Sequence, residues 1–264
     1  MNRAASLPGR TFGVLHRRFF VIVVVAFWPY LVLIALFALT RLVISTLFAP
    51  QPLAGDPKEL WLSLSPLSKI GLIVAFVATA SLPWGVSTAG VSLIVCREER
   101  GNPLSLRDAL AQLKSRWPTL LALSFILGTA LTILSALFFV PGLIAFAVGY
   151  PALTASADEG LGVGRALKRG SQVALARLGT VIALAILCCL ISTFVAFSLP
   201  LFMARFSELS DSALTFMIWG SIAIVPPALI LLVAPIMAML YCEVCRKLQP
   251  PPENLPSPIA VKPR

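Results

Sequence analysis

The residues able to do chemistry fall into two groups, thiols and cations. Cys242-Glu243-Val244-Cys245 is a C-x-x-C, a spacing that serves redox exchange or, with further ligands, metal binding. Cys96 joins it only if the chain folds to bring position 96 alongside, and His16 is the sole histidine. That leaves three thiolates and a distant imidazole where a structural zinc site takes four well-spaced ligands. The expectation is therefore free thiols, with no metal and no cofactor. Cys188 and Cys189 lie mid-segment and read as small packing residues. One histidine in a basic, N-terminal stretch cannot supply a Ser-His-Asp arrangement within an apolar core. No G-x-x-x-x-G-K-[ST] phosphate loop occurs. The sequence is accordingly not expected to be an enzyme.

The cations are more informative. Arg107, Lys114 and Arg116 occupy one short polar stretch, and Arg165, Lys168 and Arg169 another. Six guanidinium and ammonium groups on amphipathic segments suit the phosphates of anionic lipid headgroups, each worth about 1 kcal/mol near a membrane surface. These six are the candidate lipid-headgroup residues. Simple setting of topology would explain any one of them alone.

What must position them is a membrane. Charged residues make up 12% of the 264, hydrophobic ones 58%, whereas a soluble domain carries about 25% charge. Uncharged runs cover residues 19–40, 70–96, 118–157, 178–204 and 212–242. The third is too long for one span of about 20 residues, and Pro141-Gly142 is its expected break. Six segments result, the fourth (143–157) being short and either tilted, partly re-entrant, or extended past Asp158.

Counting Lys and Arg along this topology puts four, five, four and four in the N-terminal stretch, the two polar stretches and the tail. That is 17 of 21 on one side, which predicts both termini in the cytoplasm. The net charge of +10 then reflects orientation rather than nucleic-acid binding, and no nucleic-acid partner is expected. The first apolar run is too long for a cleaved signal peptide and is read as a retained span. Residues 1–248 form one transmembrane helical domain, and the proline-rich stretch 249–264 forms a disordered cytoplasmic tail.

Within the polar stretches, Ser105 and Asp108 have capping-box spacing. Leu106, Leu110, Leu113 and Trp117 then recur on one helical face. Val163, Ala166, Leu167, Gly170 and Val173 make a weaker face in the next stretch. Arg107-Asp108-Ala109-Leu110 echoes Gly164-Arg165-Ala166-Leu167, and residues 10–20 give a fainter third copy. The expected fold is all-α: about six transmembrane helices as three hairpins, with amphipathic elbow helices at the cytoplasmic face. Prolines at 29, 83, 151, 226, 227 and 235 mark kinks, or breaks in a substrate path.

The run Val140-Pro141-Gly142-Leu143-Ile144-Ala145-Phe146, then Tyr150-Pro151-Ala152-Leu153, Asp158-Glu159-Gly160 and Gly164-Arg165-Ala166-Leu167-Lys168-Arg169-Gly170-Ser171 resembles a group of bacterial and archaeal integral membrane proteins. These are similar to the membrane domain of glycerophosphodiester phosphodiesterases, and the likeness covers about residues 84–192. It implies six helices with cytoplasmic elbows. It does not imply the phosphodiesterase reaction, which in such fusions belongs to a separate soluble barrel with metal-binding acids and histidines. The reading that follows is a scaffold or accessory protein of the bacterial cytoplasmic membrane, with membrane lipids as partners and other membrane proteins or a second copy as protein partners. A transporter or channel-like component for a lipid or apolar solute, using the segments around Pro83 and Pro226, is the alternative.

Overall fold

The computed structural model describes residues 7–47, 65–137, 139–204 and 211–248. The tail 249–264 lies outside the described residues. Those described form eight helices and no strand: α1 (Leu7–Leu47), α2 (Pro66–Glu99), α3 (Leu106–Ser115), α4 (Trp117–Leu137), α5 (Phe139–Glu159), α6 (Val163–Ala176), α7 (Leu178–Ala204) and α8 (Asp211–Leu248).

Four of them, α1, α4, α5 and α8, are long and apolar enough to cross a membrane, and α6 with α7 makes a fifth if that bent pair is one span. The chain is thus an all-helical protein with the build of a multi-pass membrane protein. The expected segment 70–96 falls on α2, whose side chains from 70 to 80 lie outside those described.

The break expected at Pro141-Gly142 is not there. α4 ends at Leu137 and α5 begins at Phe139. Pro141 therefore sits in the first turn of α5, where its missing N–H costs nothing, because the first-turn N–H groups have no intrahelical acceptor. The consequence is that α5 gains a turn. Its 21 residues span about 30 Å, the thickness of the hydrocarbon core, so the short fourth segment reaches full length. Pro29, Pro83, Pro151, Pro226, Pro227 and Pro235 all lie inside continuous helices.

Packing follows a repeated pattern. α2, α5 and α8 touch one another, while α1 packs on α8 and α2, α4 on α2 and α5, and α7 on α5 and α8. Burial matches this arrangement. Residues 85–96 of α2 and 150–158 of α5 are buried without a break, whereas the described side chains of α4 and of residues 178–188 of α7 alternate between buried and outward positions. Apolar surface gains little by leaving lipid, so close backbone approach and polar links must hold such helices together. Gly85 meets Ser124, Gly128 meets Ser81, and Gly170 lies against Val148 and Ala152; a Cβ at any of the three would come within 3.0 Å of its neighbour. Ser87 donates from α2 to the Ala26 carbonyl of α1 (2.8 Å), and Trp84 donates to the Tyr150 hydroxyl of α5 (3.3 Å).

Each outer helix is entered through a bend at an arginine. Arg18 (φ −116°, ψ 16°) bends α1, Arg116 (φ −106°, ψ 7°) separates α3 from α4, and Arg177 (φ −137°, ψ 38°) separates α6 from α7. The last bend is 100°. α3 packs on α2, and α6 on α5.

Candidate functional site

The arginine bends lie at one end of the bundle, where the helix ends carry carboxylates. α2 ends in Glu98-Glu99 and α5 in Asp158-Glu159, each followed by a glycine with positive φ (Gly101, +79°; Gly160, +71°). That left-handed conformation stops a helix at little cost only in glycine. α8 carries Glu243 near its own end.

These acids organise a layer of ion pairs. Arg18 Nε donates to Glu98 Oε2 at 2.8 Å. Arg10 reaches Glu99 at 3.1 Å and Glu243 at 3.6 Å, linking the start of α1 to α2 and α8. Arg177 and Lys247 both hold Glu243. Arg169 lies 3.7 Å from Glu159, which also accepts from the Tyr241 hydroxyl. Asp158, its side chain wholly buried, takes Arg100 at 2.6 Å and Arg97 at 3.6 Å. Arg116 donates to the terminal carbonyls of α5 at Ser156 and Ala157. Burial is the main force lowering the Arg116 pKa, Arg97 adds to it, and Asp158 opposes both.

A pattern emerges from the three bends. Arg18 binds the end of α2, Arg116 the end of α5, and Arg177 the end of α8. Each arginine clasps the inner helix that follows its own outer helix. Seven residues before each bend stands a small buried residue: Thr11, Ala109 and Gly170. The sequence echo aligned Ala109 with Ala166 instead, one turn away from this structural register.

Of the six candidate headgroup residues, the structure therefore divides four from two. Arg116 and Arg169 point inward and hold the bundle. Arg107, Lys114, Arg165 and Lys168 are exposed, and among the described residues no ion pair reaches them. Asp108, the one carboxylate on α3, is taken up in its cap: Ser105 Oγ accepts from the Asp108 N–H at 3.2 Å and donates to its carboxylate at 2.6 Å.

The expected apolar face of α3 also divides. Ala109 and Leu113 are buried, while Leu110 and Trp117 are turned outward. Leu113 lies beside Gly90 of α2, and the other large residues of α3 are not buried. On α6 the expected face holds better: Ala166, Gly170 and Val173 are buried, joined by Ala174.

Beneath the ion pairs, Cys96 and Cys242 stand with sulfurs 2.8 Å apart, and Cys96 also faces the Ala238 carbonyl. Cys245 turns instead toward Glu159 at 3.9 Å. Both residues of the C-x-x-C are free and buried. Among the described residues no group of three or more His, Cys, Asp and Glu side chains converges as metal ligands would.

From sequence, Asp158-Glu159 stood in the run that carries the family resemblance, but none of these acids was assigned a role. Their signal was available, because Glu98-Glu99 and Asp158-Glu159 are acidic pairs at apolar segment ends on an otherwise basic side. Taken together, these features fit the class of multi-pass helical membrane proteins. Compared with protein-family models, curated proteins and solved structures, the chain has no match.

Proposed function

We propose that this chain is a non-enzymatic scaffold or accessory protein of the bacterial cytoplasmic membrane that gathers anionic lipids around its basic elbows. In this reading it crosses the membrane six times as three hairpins, α1–α2, α4–α5 and α7–α8. Both termini and the elbows lie on the cytoplasmic side. The 34 residues of α2 and 27 of α7 are ample for spans, and the three arginine clasps support the hairpin pairing. The family likeness is architectural and adds no reaction.

One observation carries the functional reading. At the elbow end Glu98, Glu99, Asp158, Glu159 and Glu243 are all engaged by cations, yet four cations on the outer elbow faces stay exposed, with no ion pair among the described residues. Each has a free charge near the lipid phosphates, where long-range attraction is strongest. Around Pro83 the alternative transport path finds α2 packed tight, with Trp84 on Tyr150 and Gly85 on Ser124.

The test is lipid selectivity of the full chain in phosphatidylcholine–phosphatidylglycerol nanodiscs. The expected result is enrichment of phosphatidylglycerol around the protein, weakened by salt. It should be largely lost in the variant combining Arg107→Gln, Lys114→Gln, Arg165→Gln and Lys168→Gln. Unchanged enrichment in that variant would refute the proposal.

A further inference from the structure

A groove of about 610 Å³ runs between α1, α2 and the α3–α4 elbow, within the 300–1,000 Å³ of small-molecule sites. Its floor is Val25, Val86 and Leu113, all buried, and its walls carry the half-exposed Trp28 and Trp117. Lys114 stands on the rim, exposed and without an ion pair among the described residues.

The floor exists because position 90 is glycine. A Cβ on Gly90 would lie 2.3 Å from Val25 and 3.1 Å from Leu113. Without a side chain there, α1, α2 and α3 converge beneath the groove, with Val25 and Leu113 closing over the bare backbone of α2.

Depth identifies the occupant. Lys114 and Trp117 flank Arg116, at the level of the ion-pair layer. Trp28 lies ten residues beyond Arg18, and Val86 eleven before Arg97, so both sit about 15 Å below that layer along their helices. The groove thus runs from a cation at the interface to about the middle of a hydrocarbon core of about 30 Å. One leaflet of lipid has this same layout, charged at one end and apolar for half the membrane thickness. Trp117, at the level of the ion-pair layer, adds an amphipathic surface suited to the headgroup boundary.

We infer that this groove is a specific site for one anionic glycerophospholipid, its phosphate at Lys114 and an acyl chain along Val25, Val86 and Trp28. The inference rests on the lipid-engaging reading above but is separable from it. The shell of enriched lipid draws on all four elbow cations, whereas the groove draws on Lys114 alone.

The experiment is native mass spectrometry of the full chain ejected from nanodiscs holding phosphatidylglycerol and phosphatidylcholine with identical acyl chains. One phosphatidylglycerol should stay bound at collision energies that strip the remaining lipid. Lys114→Gln, at an exposed position, should cut its retention about fivefold, and Val86→Phe, which fills the floor, should abolish it. Arg165→Gln with Lys168→Gln should leave it intact while thinning the enriched shell. Equal retention of the two lipids, or retention indifferent to Lys114→Gln, overturns the site. So does a bound dimer in place of bound lipid, since a second copy would then fill the groove. Shell enrichment without the retained lipid would sink this inference alone, and the retained lipid without shell enrichment would sink only the broader reading.

Discussion

Replacing Asp158 by asparagine removes one charge and almost no volume. The carboxylate is wholly buried between the ends of α2 and α5 and faces two guanidinium groups, Arg100 at 2.6 Å and Arg97 at 3.6 Å. Removing one partner of a buried ion pair costs about 3–5 kcal/mol, because the remaining charge is left without compensation. Here the remaining charges are only part-buried, with side-chain exposures of 39% for Arg100 and 28% for Arg97. Water can take over part of their solvation, which brings the expected loss down to about 2 kcal/mol. That is about a 30-fold shift toward the unfolded chain. The assay is unfolding by dodecyl sulfate in mixed micelles, followed by tryptophan fluorescence. Arg107→Gln, on the exposed elbow, should stay within about 0.5 kcal/mol and serves as the control. Arg100→Gln should cost less in the Asp158→Asn background than alone, since the two share one interaction. A loss below about 0.5 kcal/mol for Asp158→Asn would show that these pairs do not hold α2 to α5.

Other consequences are more local. Gly85→Ala should destabilise by about 1–3 kcal/mol by forcing a methyl into Ser124, whereas Gly13→Ala meets open space and should be neutral or stabilising in the same unfolding assay. Arg116→Gln should lower stability by about 1–3 kcal/mol through the lost charged bond to the α5 carbonyls yet leave phosphatidylglycerol enrichment unchanged; a drop in enrichment would contradict its inward placement. Diamide should join Cys96 to Cys242 within one chain, detected by lost thiol labelling, and Cys242→Ser should block it. If Cys245 reacts with Cys96 instead, the contact between α2 and α8 is wrong.

The apolar runs, the elbows and the cap of α3 were legible because each is written in local spacing. Ser105 and Asp108 announce a cap three residues apart, and the structure builds it. Relations between helices were not. All the long helices are apolar on every side, so hydropathy does not tell inner α2 and α5 from outer α4. The difference lies in glycine, alanine and serine placed where another helix approaches, as at Gly85 against Ser124. The break near Pro141 was misplaced because proline signals a helix start as readily as a stop. For the site, residue type and position gave six cations but not their direction. Arg116 and Lys114 are two residues apart on the chain, and a bend in the backbone sends one to the carbonyls of α5 and the other to the rim of the groove.

In the proposed arrangement Arg107, Lys114, Arg165 and Lys168 all face one leaflet, on the cytoplasmic side. Cysteines placed singly at Arg107, at Arg165 and at Leu67 in the opposite end of α2 would test this, read by an impermeant maleimide in sealed vesicles of known sidedness. The described native thiols are buried and give a low background. Labelling of positions 107 and 165 only from the cytoplasmic side, with position 67 labelled only from the other, is the predicted result. Labelling of 107 and 165 from opposite sides, or of 67 together with them, would contradict it.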